Sequence, residues 1–405
     1  MAFPRYGSLI KAICRYLGRP GSRANLLGRR AGFLYFLLLL STPGASAETD
    51  RLSLPASLSR LADSSLLLDI TAVKNRLYAV GERGHILYSE DQGDSWQQAR
   101  VPVSVTLTAV DFIDASHGWA VGHDGVILNS QDGGRSWQKQ LDGFRVNQMV
   151  VDHYRKLLEA AEQQLQSLTK QGEELAELEE RVETYEFDLE DAEIALEEGP
   201  AKPFLDLLFV SRQQGWAIGS YGLIFETRDG GQHWISRLEQ LDNPDGFHLN
   251  AIMQSRRGTL YIAGEAGILF RSDDLGQSWQ RLDSPYDGSF YAIAEIQPSG
   301  DLLVTGLRGR GYRSEDQGES WIELEMATRS TLTSLVQLDS GELIAAGSSG
   351  SLSISSDGGR QFRAQVQPGR RGYSGLVATA SGGLILVGQG GISTLDNQQL
   401  QEVLR

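Results

Sequence analysis

Six times in 405 residues the chain returns to one pattern: a hydroxyl residue, an aspartate two places on, a glycine two beyond, and an aromatic three further. It reads Ser89-Glu-Asp-Gln-Gly-Asp-Ser-Trp96, then Ser130-Gln-Asp-Gly-Gly-Arg-Ser-Trp137 and Thr227-Arg-Asp-Gly-Gly-Gln-His-Trp234. Ser272-Asp-Asp-Leu-Gly-Gln-Ser-Trp279, Ser314-Glu-Asp-Gln-Gly-Glu-Ser-Trp321 and a worn copy, Ser355-Ser-Asp-Gly-Gly-Arg-Gln-Phe362, follow. The aromatics are 41, 97, 45, 42 and 41 residues apart. A period near 40 to 45 with strand-like flanks is that of a propeller blade.

The residue types explain the recurrence. An aspartate closely followed by glycine favours a tight turn, because the carboxylate accepts backbone N–H groups and the glycine takes positive φ freely. The hydroxyl is a second local acceptor, and the aromatic starts a strand and fills the gap between neighbouring blades. Six copies each in its own turn argue for a structural role for Asp91, Asp132, Asp229, Asp274, Asp316 and Asp357. An active site needs one constellation, not six.

Upstream of each box lie short apolar runs bounded by glycine, such as Leu77-Tyr-Ala-Val-Gly81, Gly118-Trp-Ala-Val-Gly122 and Gly215-Trp-Ala-Ile-Gly219. These read as strands, four to a blade. A seventh unit, Tyr373–Ala378, Leu384–Gly388 and Gly391–Thr394, stops after three strands. Arg51-Leu-Ser-Leu-Pro-Ala56 is therefore expected to supply its missing strand and close the ring, so that no sheet edge is left open.

The long step of 97 residues contains an insert of a different kind. Val151, Tyr154, Leu158, Ala161, Leu165 and Leu168, then Leu175, Leu178, Val182, Tyr185, Leu189, Ala192 and Leu196, alternate spacings of three and four, as in a coiled-coil seam. One straight helix of that length would separate its ends by roughly 70 Å at 1.5 Å per residue. A hairpin turning near Lys170–Gly172 brings them back to adjacent blades. Its outer face is acidic, and an insert this long is not needed to build a propeller.

Residues 1–47 hold seven basic and no acidic side chains, an apolar run from Ala31 to Leu40, and Ala45-Ser-Ala47. That pattern predicts an exported protein with a signal peptide cleaved after Ala47. The expected organisation is a leader at 1–47, blades one and two at 48–143, the helical insert at 144–202 and blades three to seven at 203–405. Cleavage removes Cys14, the single cysteine, and shifts the formal charge from −15 to −22. So acidic a chain is a poor electrostatic partner for nucleic acid or anionic lipid.

Catalytic signatures are missing: no His-Glu-x-x-His, Gly-x-Ser-x-Gly or phosphate loop occurs, and the histidines are scattered. His85 and His123 follow the glycine of similar turns, as ordinary polar loop residues do. No cofactor or metal is implied. Against this background the arginines stand out. Arg308, Arg310 and Arg313 lie in Gly306-Leu-Arg-Gly-Arg-Gly-Tyr-Arg313, Arg370-Arg371 opens blade seven, and Arg256-Arg257 sits on a blade-four turn. Arg308, Arg310, Arg313, Arg370 and Arg371 are the candidate contacts for acidic groups on a partner.

The unit Gly-Trp-Ala-Val-Gly-x-x-Gly-x-Ile-x-x-Ser-x-Asp-x-Gly-x-Ser-Trp resembles the repeat of the photosystem II stability/assembly factor family. The resemblance runs from Leu66 to about Thr394, outside the insert. It implies an all-β, seven-bladed propeller that binds a membrane or envelope protein during assembly without catalysing a reaction. Here the partner would be met by a loop face and the hairpin, in the periplasm. The alternative is a sialidase-like glycosidase on the same superfold, whose arginine triad and Tyr–Glu pair do not emerge from the spacing.

Overall fold

The computed structural model describes residues 50–167 and 173–404. The leader with its Ala47 cleavage site lies outside the described residues, as does the helical turn near Lys170–Gly172. Seven antiparallel sheets are present, six of four strands and one of three. The first blade runs Leu67–Val73, Arg76–Gly81, Ile86–Ser89 and Gln97–Gln98. Its successors begin at Leu107, Phe204, Leu249, Phe290, Leu332 and Tyr373. Strands are lettered a to d from the first of each blade to the last. Strand a of every blade packs against strand a of the next, and that of blade seven returns to blade one. The fold is a closed seven-bladed propeller carrying a helical hairpin.

Four of the six Asp boxes fold the c–d turn with the same bonds, and the other two vary one donor. In blade two Ser130 Oγ donates to Asp132 Oδ1 at 2.9 Å and accepts the Gly134 N–H at 2.9 Å. The Ser136 N–H and hydroxyl then donate to the two carboxylate oxygens at 2.9 and 2.6 Å. Asp91, Asp274 and Asp316 repeat the set, and in blade three the His233 ring nitrogen takes the hydroxyl's place on Asp229 at 2.7 Å. In blade six Gln361 offers Asp357 only its backbone N–H, at 3.0 Å. These donors hold the carboxylates below their ordinary range, Asp91 at about 2 through Ser95 and Ser89.

Blades are joined by aromatics. Tyr78 of blade one stacks on Phe112 of blade two at 3.6 Å, and the Asp-box Trp137 meets Phe112 edge-on at 5.8 Å. Trp119, Phe209 and Trp234 repeat this between blades two and three. Strand b aromatics also donate to the Asp-box turn of the following blade: Tyr78 Oη to Gly133 O, Trp119 Nε1 to Gly230 O, and Tyr261 Oη to Gln317 O, each at 3.3 Å.

Along the channel, strand a side chains bond the backbone of the next blade. Asp69 accepts the Val110 N–H, Asp111 that of Phe209 and Asp206 that of Ile252, at 2.8 to 2.9 Å. Thr108, Asn250 and Thr333 donate to the carbonyls of Phe204, Phe290 and Tyr373. Ser374 Oγ donates to Leu67 O at 2.7 Å and so links the last blade to the first.

The expected N-terminal closing strand is corrected by the structure. Blade seven keeps three strands, and Arg51–Ala56 does not pair with them. The Ala56 N–H donates to Val101 O and the Ser104 N–H to Arg51 O, so the segment is tied to the linker between blades one and two. Pro55 lacks the N–H a ladder position would use. The seam of blades seven and one is filled instead by Ala62, buried with Leu67, Ile385 and Val387. A short helix, α3 (Asn397–Leu404), follows the third strand of blade seven and buries Leu400 and Val403.

The insert forms two helices, α1 (Gly143–Ser167) and α2 (Glu173–Glu198), packed together. Val151, Ala161, Leu178 and Ala192 are buried, and the described seam residues between them are half-buried, as the three-four spacing predicts. At the root, Asn147 Nδ2 donates to Ala195 O and Gly199 O, tying the start of α1 to the end of α2. Val146, Val150, Val151 and Ala192 pack with Leu141, Phe204 and Trp234, so the root belongs to the propeller core.

Two stability predictions follow from these contacts. Asp132→Ala removes an acceptor of several charge-assisted bonds and should cost about 2–3 kcal/mol, with Asp357→Ala costing less; chemical denaturation of both variants measures the difference. The channel aspartates have the opposite pH behaviour. Burial pushes Asp69 up to about 6 against the lowering effect of the Val110 N–H, and raises Asp111 and Asp206 as well. A carboxyl raised in the folded state binds its proton more tightly there, so its contribution is present below its unfolded value near 3.8 and is lost as pH climbs through about 6. Asp69→Asn should therefore gain on the order of 1 kcal/mol at pH 7.5 and nothing near pH 4. A gain that persists at pH 4 would count against this assignment.

Candidate partner-binding face

The meander fixes which loops share a face. With antiparallel strands a to d, the b–c turn and the d-to-a linker lie at one end of each blade, and the Asp box lies at the other. The contacts agree: the first residue after strand b donates to the residue before strand a in every blade, as in Glu82 to Leu66, His123 to Thr106, Leu307 to Ser289 and Gln389 to Gly372. This is the bc face.

Six of its turns place their middle residue in the left-handed region: Arg83, Asp124, Tyr221, Ala266, Arg308 and Ser349, with φ from 51° to 59°. The following glycine sits tight against the d-to-a linker, where a Cβ would collide with Thr328 O at Gly309 or with Gly143 at Gly125. The turn is thus pinned by glycine, and its middle side chain is left to vary. Tyr221 is 59% exposed with Lys202 Nζ 5.3 Å from its ring centroid. Burial lowers the Lys202 pKa.

Arg308 and Arg310 are exposed on this face in blade five, Arg310 ion-paired with Glu323. With Arg329 of the linker to blade six they border a groove of about 1080 Å³ whose floor includes Leu324 and Met326. Arg370 and Arg371 occupy the next linker, from blade six to blade seven. The Arg370 backbone lies against Gly350 of the blade-six turn, and the Arg371 side chain lies over Gly390 of blade seven. Four of the five candidate arginines are therefore exposed on successive linkers and turns of one face.

Arg313 is not. It lies on strand c with its side chain 8% exposed, its Nε 2.8 Å from Asp301 Oδ2 and a further bond to Gly358 O of the blade-six Asp box. The two-residue alternation of a strand separates Arg313 from Arg310, which begins the same strand. Arg256 and Arg257 lie in the a–b loop of blade four, on the Asp-box face. Sequence reading missed Arg329 and Arg83. Arg83 was recoverable, since Gly81-Glu-Arg-Gly84 and Gly306-Leu-Arg-Gly309 share one register.

The hairpin rises from the same face, because it is inserted in the d-to-a linker between blades two and three. Here α1 packs on the His123–Gly125 turn and on Ile235–Ser236, and His153 Nε2 lies 3.1 Å from Glu239 Oε2. His85 is buried against Ser65 Oγ at 3.0 Å, and its burial favours the neutral ring. Among the described residues no group of three or more His, Cys, Asp or Glu is placed to hold a metal ion, and no helix is long and apolar enough to cross a membrane.

The two kinds of arginine should separate on mutation. Arg313→Ala leaves Asp301 buried and unpaired and should cost about 3–5 kcal/mol. Arg308→Ala and Arg370→Ala should stay within about 0.5 kcal/mol of the parent, as exposed substitutions do. Thermal unfolding of the three variants checks this.

The profile of the family described as photosynthesis system II assembly factor YCF48 matches residues 94–155 and 190–399. The photosystem II assembly lipoprotein Ycf48 of Synechococcus sp. (strain CC9902) is 38% identical over 98 residues, 24% of this chain and 29% of that one. The chloroplastic photosystem II stability/assembly factor HCF136 of Oryza sativa subsp. japonica is 30% identical over 88 residues, 20% and 21% of the two chains. The chain thus spans less than a third of the length of these curated relatives. Among solved structures, YCF48 bound to D1 peptide superposes with a TM-score of 0.57 at 17% identity, over 85% of this chain and 99% of that one. YCF48 from Cyanidioschyzon merolae gives 0.57 at 16% identity, over 85% and 98%. With the profile matching more than half of its residues, the chain belongs to the photosynthesis system II assembly factor YCF48 family.

Proposed function

We propose that this chain is an exported, non-enzymatic assembly factor that holds an acidic segment of a membrane protein on its bc face. The observation that carries the reading is the exposed guanidinium set of Arg308, Arg310, Arg329, Arg370 and Arg371 on one side of a chain whose formal charge is −15. Arginine forks match carboxylates bidentately, and such pairs fix register as well as adding attraction. The groove beside Arg308 adds an apolar floor for the segment's other side chains. Family membership and the D1 peptide carried by a structural neighbour support the same role. The relative named a lipoprotein supports export, with the periplasm as the expected compartment.

The hairpin completes the contact as an arm on the same face, across the ring from the arginine sector. Because Val146, Val150, Val151 and Ala192 are core, its role is tested by shortening the arm rather than excising it. Residues 156–189 would be replaced by a short Gly-Ser turn in the protein from residue 48 onward. Pull-downs from detergent-solubilised membranes should recover a membrane protein with the parent, lose it with Arg308→Glu/Arg310→Glu/Arg370→Glu, and weaken with the shortened arm. Capture unaffected by charge reversal, or turnover of a fluorogenic glycoside panel, would overturn the reading.

A further inference from the structure

The family profile stops at residue 155 and resumes at 190, so the outer part of the hairpin lies outside what the family shares. A surface the hairpin's own fold does not use begins there, at Phe187, and runs on into the matched residues as far as Glu197. On α2, Phe187 is 56% exposed and Ile194 is 47% exposed. They are seven residues apart, two turns of helix and roughly 10 Å along one side. The seam residues Tyr185 and Leu189 flank Phe187 in sequence and point to α1, which puts Phe187 on the far side, about 200° around the helix. Neither residue is needed for the hairpin.

The surroundings are acidic. Glu183 and Glu190 neighbour Phe187 one turn away, and Glu190 and Glu197 neighbour Ile194. All three are exposed and none has an ion pair among the described residues. Phe187 and Ile194 thus form a short apolar stripe flanked by glutamates on one side of the helix. The charge selects the occupant. A second copy of the chain would bring the same acidic helix, and like charges across an interface oppose docking. A segment with lysine or arginine beside apolar side chains complements both features.

We infer that the outward face of α2 docks a basic amphipathic segment of a partner protein, its apolar side chains on Phe187 and Ile194 and its cations on Glu183, Glu190 and Glu197. This rests on the proposed binding role and assigns the arm a ligand chemistry opposite to that of the arginine sector. The two surfaces on one face then require a partner that presents both signs of charge.

The test uses the protein from residue 48 onward, which has no cysteine, with Thr184→Cys added as the sole labelling site for an environment-sensitive dye. The probes are a synthetic Leu/Lys amphipathic peptide and a Leu/Glu peptide of the same pattern. The Leu/Lys peptide should bind, weaken as salt is raised, and lose at least tenfold in affinity with Phe187→Ser/Ile194→Ser. Arg308→Glu/Arg310→Glu should leave that affinity unchanged, so the arm is read independently of the proposed membrane partner. Circular dichroism of the double variant should match the parent, since both side chains face solvent. Equal affinity in the double variant, equal binding of the Leu/Glu peptide, or a parent dimer dissolved by the double variant would each overturn the assignment.

Discussion

A ring of separate sheets holds only if each sheet presents a rigid edge to the next, and here the Asp-box carboxylate makes that edge. Asp132 gathers the Ser130 hydroxyl, the Ser136 hydroxyl and the Ser136 N–H, and thereby fixes the carbonyl of Gly133 where Tyr78 of the preceding blade donates to it. Trp119 uses Gly230, beside Asp229, in the same way. Local turn chemistry and blade-to-blade packing are thus one device. The repeat meets a need that recurs from blade to blade rather than a ligand.

That coupling is why the fold was so legible. The six boxes and the box-less seventh unit carry the blade count and order, and the glycine-bounded runs are the b strands almost residue for residue. The hairpin followed from the spacing of Leu158, Ala161, Leu178 and Ala192. Closure misled. The apolar residues of Arg51–Ala56 suit a strand, but its placement against Val101 and Ser104 is set by tertiary hydrogen bonds that no local pattern encodes. Blade seven, lacking a box, has no c–d turn to start a fourth strand, and α3 follows its third.

The arginines show a second limit. Arg308 and Arg313 are five residues apart and alike in sequence, yet one is exposed at a turn and the other is sealed against Asp301 and Gly358. The burial of Arg313 depends on the neighbouring blade, and on Asp301 at the start of strand b. Strand alternation would have separated Arg310 from Arg313, and the shared turn register would have added Arg83. Arg329 has no motif at all, and only the groove it borders singles it out.

Topology accounts for the gathering of the hairpin and the exposed arginines on one face. An insertion within strands a to d would break a ladder, and one in the c–d turn would break an Asp box. The d-to-a linker escapes both, because its ends need only meet successive blades. It also passes against the glycine of the b–c turn, as Gly143 does at Gly125, so an insert placed there is braced from its first residue. The hairpin exploits this with Val146 and Val150 in the core and Asn147 closing its base. The same linkers, free of ladder duties, carry Arg329, Arg370 and Arg371 elsewhere in the ring. An insertion breaks fewest hydrogen bonds where the blades are joined, and the bc face is where the joins are.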